Sequence, residues 1–164
     1  MGLNTNALLK AAGIGAAAMV VLTLLTFIPL LGIVCCCLLY LGYAGVGALY
    51  GHFAKQNAAL TGAGSAALGG AVAAAIAGLV YGIVNGAIFL VISATGGMVS
   101  YLQQLEGLGF DVPPEVAQLY AGTGGGLLVA ALSICWGIVI GAVLGAIGGA
   151  IYGATQKGST APAV

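Results

Sequence analysis

Charge is what this sequence has least of. Its 164 residues carry three lysines, no arginine, three acidic side chains and one histidine, so that 4% are charged, where a water-facing domain uses about a quarter. Such a chain has no solvated surface to offer. Three lysines cannot neutralise a phosphate track, which excludes nucleic acid as a partner. Disorder needs low hydrophobicity and high net charge, whereas 62% of these residues are hydrophobic and the mean hydropathy is +1.20. The composition is that of an integral membrane protein.

A second absence concerns chemistry. No Asp, Glu, Lys or Arg falls inside a long apolar stretch, and ion-coupled transport normally keeps such a residue at the midplane. The single histidine, His52, has no carboxylate on its side of the membrane, so no nucleophile–base–orienter set is in reach. Gly122-Thr123-Gly124-Gly125-Gly126 lacks the lysine of a phosphate loop. The chain is not expected to be an enzyme, and no catalytic, metal or cofactor residue is assigned.

The six charges order the topology: Lys10 and Lys55, then Glu106, Asp111 and Glu115, then Lys157. Uncharged stretches 11–54, 56–105 and 116–156 separate them. A bilayer core of about 30 Å takes about 20 helical residues. The first stretch would make a rod of about 66 Å at 1.5 Å per residue, which is two crossings with a tight turn. Pro29 and Gly32, in Phe27-Ile28-Pro29-Leu30-Leu31-Gly32, supply the break. One crossing in each later stretch puts the carboxylates opposite the lysines.

The spacing thus predicts an all-α polytopic membrane protein, four transmembrane helices in two hairpins, as one domain over residues 1–164. The spans are 11–28, 33–53, 66–95 and 126–153, with a cytoplasmic loop at 54–65, an outer loop at 96–125 and a tail at 154–164. Lysines mark the inside, so both termini are expected in the cytoplasm and the chain in the inner membrane. No cleavage site follows the first apolar run, and Met1-Gly2-Leu3-Asn4-Thr5-Asn6 has Asn6 where myristoylation needs Ser or Thr. Within the outer loop, Tyr101, Leu102, Leu105 and Leu108 lie at helical spacing beside Gln103, Gln104 and Glu106, as in a short interfacial helix. Pro113-Pro114-Glu115 reads as the start of another. The small, polar tail is expected to be mobile.

What the sequence has in abundance is small residues, 30 glycines and 31 alanines. Gly137, Gly141, Gly145, Gly149 and Gly153 form one ladder at every fourth position, and Gly70, Ala74, Gly78, Gly82 and Gly86 form another. Residues four apart share a helix face. Each ladder is therefore a groove that a second backbone fills better than lipid does, through van der Waals contact and weak Cα–H hydrogen bonds. Glycine costs about 1 kcal/mol per site in helix propensity, so a ladder in register has a packing purpose. The partner is either another helix of the chain or a second copy.

The pentapeptide Gly-x-aliphatic-Tyr-Gly occurs at Gly47–Gly51, Gly78–Gly82 and Gly149–Gly153. In the first and third copies the tyrosine precedes a lysine by five residues. A tandem duplication of a helical hairpin would leave that register; coincidence in a Gly/Ala-rich chain is the alternative.

The remaining polar residues divide between packing and function. Cys35, Cys36 and Cys37 point about 100° apart on a helix and do not converge on one ion, so small-residue packing stands first, with disulfide or metal use as alternatives. Cys135 is the one long-range thiol partner. His52 reads as an interfacial, water-contacting residue, with a ligand role as the alternative. Asn85, the only carboxamide deep in a span, is a polar interhelical contact or part of a permeation path. Thr23, Thr26, Ser93, Thr95 and Ser133 are expected to bond their own helix backbone. Trp136, beside Gly137, lies over a glycine-lined surface or faces lipid.

The first hairpin with Ile28-Pro29-Leu30-Leu31-Gly32 and Cys35-Cys36-Cys37, the glycine-rich Gly42–Gly51 and the two ladders resemble a class of small four-span prokaryotic membrane proteins of uncharacterised function. That resemblance implies the topology and no activity. The expected role is structural or accessory: an integral membrane protein that self-associates, or docks into a larger complex, through small-residue helix faces. An oligomeric channel or passive pore is the alternative. The expected partners are the lipid bilayer and a homo-oligomer or membrane complex; a bound lipid, quinone or pigment stays open.

Overall fold

The structure is a computed structural model describing residues 4–26, 29–56, 62–107, 109, 111–121 and 123–157. Among the described residues the only regular structure is helix: α1 (Thr5–Leu25), α2 (Pro29–Gln56), α3 (Ala63–Ala94), α4 (Gly97–Gly107), α5 (Pro114–Ala121) and α6 (Thr123–Lys157). Three stretches are long and apolar enough to cross a membrane: Thr5–Leu25, Ala63–Ala94 and Gly124–Gln156.

Local chemistry sets the helix ends. The Asn4 Oδ1 accepts from the Ala7 N–H at 3.1 Å and caps α1, satisfying one orphan donor. The helix therefore starts well ahead of residue 11. Pro29 opens α2, where its missing N–H is one of the unpaired ones anyway. The break thus precedes Pro29, and Gly32 lies inside α2 rather than in the turn. At the other end of α3, Gly96 takes φ 74° just beyond the helix, the left-handed backbone that glycine adopts without strain.

The segment between α3 and α6 holds two helices among the described residues. α4 begins at Gly97, ahead of the leucine spacing, and α5 opens on Pro114, where the Pro-Pro-Glu signal lies. Gly109, at φ 86°, stands between them. Phe27, Ile28, Leu108, the centre of the expected cytoplasmic loop (57–61) and the tail from 158 onward lie outside the described residues, as do residues 1–3.

Helix directions alternate. In α1 and α2, Gly15 faces Val46 and Met19 faces Gly42, an antiparallel register that sets Lys10 level with Gly51. α3 runs antiparallel to α6, with Ala63 at Gly153 and Gly86 at Ala130. α2 and α6 run parallel, sharing contacts from Gly47–Gly145 to Gly51–Tyr152. The core is made of small side chains, among them Ala7, Ala11, Ala73 and Ala74, with Met19, Val46, Tyr43 and Tyr50. Leu9, Leu41, Val91, Leu132 and Trp136 point outward. Apolar side chains cover the exterior while alanine and glycine fill the inside, the reverse of a water-soluble bundle.

Candidate functional site

The most constrained feature is the seam between α3 and α6. A Cβ added at Gly82 would stand 2.5 Å from the Ile134 Cα, and at Gly86 3.0 Å from the Ala130 Cβ. At Gly141 it would stand 2.5 Å from the Ala74 carbonyl oxygen, and at Gly153 2.7 Å from the Ala63 Cα. At Gly78 it would overlap the Gly137 carbonyl, and at Gly137 that of Gly78; Gly149 meets the Ala66 carbonyl in the same way. Every glycine of both ladders is thus opposed by backbone or small side chains of the other helix, and the two faces cover each other within one chain.

The seam is also a three-way junction. A Cβ at Gly70 would lie 2.5 Å from the Gly145 carbonyl oxygen, 3.0 Å from the Gly47 Cα and 3.3 Å from the Gly149 Cα. The backbones of α2, α3 and α6 meet there with no side chain between them. Gly148, between the ladder positions, opposes the Ala44 carbonyl of α2. The sequence reading missed Gly47 and Gly148 as packing residues because neither belongs to a long four-residue ladder.

Each pentapeptide tyrosine rests on a glycine of a neighbouring helix: Tyr50 on Gly69, Tyr81 on Gly137 and Tyr152 on Gly51. Tyr43, outside the repeat, does the same at Gly141. A planar ring fills the notch that a missing Cβ leaves, so the tyrosines of the motif pack between helices.

A polar pair spans the seam. The Asn85 Nδ2 donates to the Ser133 Oγ at 3.1 Å, so Ser133 serves a neighbouring helix as well as being a candidate for its own. Thr23, Thr26 and Thr95 do bond back to their own helix, Thr23 to the Met19 carbonyl at 2.7 Å. Ser93 departs from that expectation: its hydroxyl is buried against Gly126 and has no hydrogen-bond partner among the described residues.

At the end of the bundle that carries Lys55, side chains tie α2 to α6. The Gln56 amide nitrogen lies 3.0 Å from the His52 Nε2, and the Tyr152 hydroxyl 3.2 Å from its Nδ1. His52 thus stands within hydrogen-bond distance of one neighbour on its own helix and one on α6. Lys55 Nζ donates to Gln156 Oε1. His52 is exposed, and its two ring nitrogens are engaged by protein.

Cys35 is buried, and Cys37 and Cys135 are exposed; all three are free thiols. The side chain of Cys36 lies outside the described residues. Among the described residues no three of His, Cys, Asp and Glu come together as ion ligands. Trp136 projects outward from α6.

Fold and seam define the class: an all-helical, membrane-embedded protein whose helices meet at backbone distance. No protein-family model, curated protein or solved structure matches the chain.

Proposed function

We propose that this chain is a structural or accessory integral membrane protein that self-associates or docks into a larger membrane complex. α2 makes a fourth crossing alongside the three apolar stretches, and α3 and α6 are locked by a glycine zipper. The alternating helix directions support four crossings, as does the position of Lys10, Lys55 and the end of α6 at one end of the bundle. With lysines inside, both termini lie in the cytoplasm and the chain in the inner membrane.

The observation that carries this reading is the seam itself. It consumes both ladders internally and leaves a rigid unit whose exterior is apolar and uncharged at depth. Docking then falls to helix faces that remain open. A Cβ added at Gly13 of α1 or Gly45 of α2 would meet nothing within 4 Å.

The test is native mass spectrometry of the tagged chain, extracted from its own membranes in mild detergent. Self-assembly appears as an integer multiple of 15.8 kDa, and an accessory role appears as stoichiometric foreign subunits. Gly13→Leu or Gly45→Leu should reduce either assembly while the monomer stays folded. A lone monomer would overturn the reading, and self-assembly accompanied by ion flux in liposomes would replace it with the oligomeric pore.

A further inference from the structure

The six charged side chains divide by sign between the two ends of the bundle. Lys55 of α2 donates to the Gln156 Oε1 of α6, and Gln156 closes the apolar stretch Gly124–Gln156. The Gly15–Val46 and Met19–Gly42 contacts bring Lys10 of α1 to the same end, and Lys157 is the last residue of α6. Glu106, Asp111 and Glu115 all fall in the segment carrying α4 and α5, before α6 begins. The 33 residues of the apolar stretch make a rod of about 50 Å. α4 and α5, of 11 and 8 residues, are too short to carry a carboxylate back along it. Screening limits charge interactions to a Debye length of about 8 Å, so no acidic side chain neutralises the lysines.

Helix dipoles do not neutralise them either. α1 and α3 begin at the lysine end while α2 and α6 finish there, so two positive and two negative helix termini cancel. What remains is the charge of three ammonium groups, set where the apolar helix exteriors stop and phospholipid headgroups begin.

Lys55 is also held in place. Among the described residues one of its three N–H donors is used, by Gln156, which fixes the side chain over the junction of α2 and α6. Beside it His52 lies between Gln56 and the Tyr152 hydroxyl, at 3.0 and 3.2 Å. The last turns of the two helices thus form one polar platform, on which His52, Lys55 and Gln56 are exposed. Gln156 is a neutral partner, so the ammonium keeps its full charge.

We propose that this platform binds the phosphodiester of one anionic phospholipid, of the phosphatidylglycerol type, with the Lys55 ammonium donating to a phosphate oxygen. A charge-assisted bond of this kind is stronger than one between neutral groups. A zwitterionic headgroup carries its own cation beside the phosphate, which the lysine repels, so charge selects the anionic lipid. The platform lies at the bilayer boundary, which makes the occupant a lipid rather than soluble phosphate. This site stands apart from the assembly proposed above.

The test is native mass spectrometry of the full chain, delipidated in detergent and titrated with palmitoyl-oleoyl-phosphatidylglycerol or the matching phosphatidylcholine. One phosphatidylglycerol should bind at least about fivefold more tightly than phosphatidylcholine, the worth of one lysine at an anionic surface. Lys55→Gln, an exposed change that should fold, is expected to abolish that preference. Lys10→Gln removes the same charge from α1 and should leave the preference intact. Equal loss in the two variants would mean diffuse attraction to the whole end, and would overturn the site. So would equal affinity for the two lipids in the unaltered chain. Displacement of phosphatidylglycerol by glycerol phosphate at the same concentration would assign the platform to a soluble phosphate and overturn the lipid.

Discussion

Gly78 and Gly137 stand so that the carbonyl of each occupies the place the other's Cβ would take. Neither residue can gain a side chain without moving a helix backbone. Overpacking a tight core costs about 1–3 kcal/mol where side chains can yield, and here the obstacle is backbone. Gly78→Val and Gly137→Val should each lower the yield of folded protein severely. Gly45→Ala, which meets open space, should leave melting in detergent unchanged or raise it slightly through better helix propensity. Equal melting for all three variants would dissolve the distinction between seam and surface.

The Asn85–Ser133 bond should be worth about 0.6 kcal/mol and no more than about 1.7, the range found for hydrogen bonds between membrane helices. A double-mutant cycle of Asn85→Leu and Ser133→Ala, read by reversible unfolding, measures the coupling. A coupling near zero would mean that the seam is held by backbone proximity alone.

At the His52 cluster, Tyr152 contributes two separable things, a hydroxyl for Nδ1 and a ring laid on Gly51. Tyr152→Phe removes only the first. Hydrogen exchange should quicken in the last turn of α2 with global melting almost unchanged, because the bond is exposed. Tyr152→Ala removes both and should lower global melting as well. Should Phe prove as damaging as Ala, the hydroxyl would outrank the ring.

The proposed four crossings make a labelling prediction. Single cysteines at Ser65 and Gln156, in a cysteine-free background, should react with a membrane-impermeant maleimide only from the cytoplasmic side. One at Asp111 should react only from the opposite side. Labelling of Ser65→Cys and Asp111→Cys from the same face would leave α3 without a crossing and require a different topology.

The sequence disclosed helices where one signal acted alone. A run of apolar residues marked α3 and α6, and the four-residue glycine spacing marked the faces that oppose each other. Partner choice was not legible, because a bare helix face is the same whether its own chain or another covers it; only the register of Ala63–Gly153 through Gly86–Ala130 distinguishes them. Gly47, visible in the pentapeptide, was not legible as a packing position because it lies outside the two long ladders and packs where three backbones meet, a contact with no linear period. The extension of α1 to Thr5 was missed because hydropathy located the apolar run, whereas Asn4 and its hydrogen bond to Ala7 locate the helix end. The contact of Lys55 with Gln156 was also invisible, because it depends on the register of α2 against α6.

The chain order of α3 and α6 has a consequence for how the protein is made. α4 and α5 lie between them, so α3 leaves the ribosome well before its partner exists. Until α6 follows, Gly70, Gly78, Gly82 and Gly86 present bare backbone to lipid, and the exposed groove is the same for any α6 that reaches it. Assembly in the right copy therefore depends on the nearness of α6 in its own chain, and the segment carrying α4 and α5 acts as the tether that keeps it near. Lengthening that segment should favour exchange of α6 between neighbouring molecules, a dimer made by the same seam that closes the monomer.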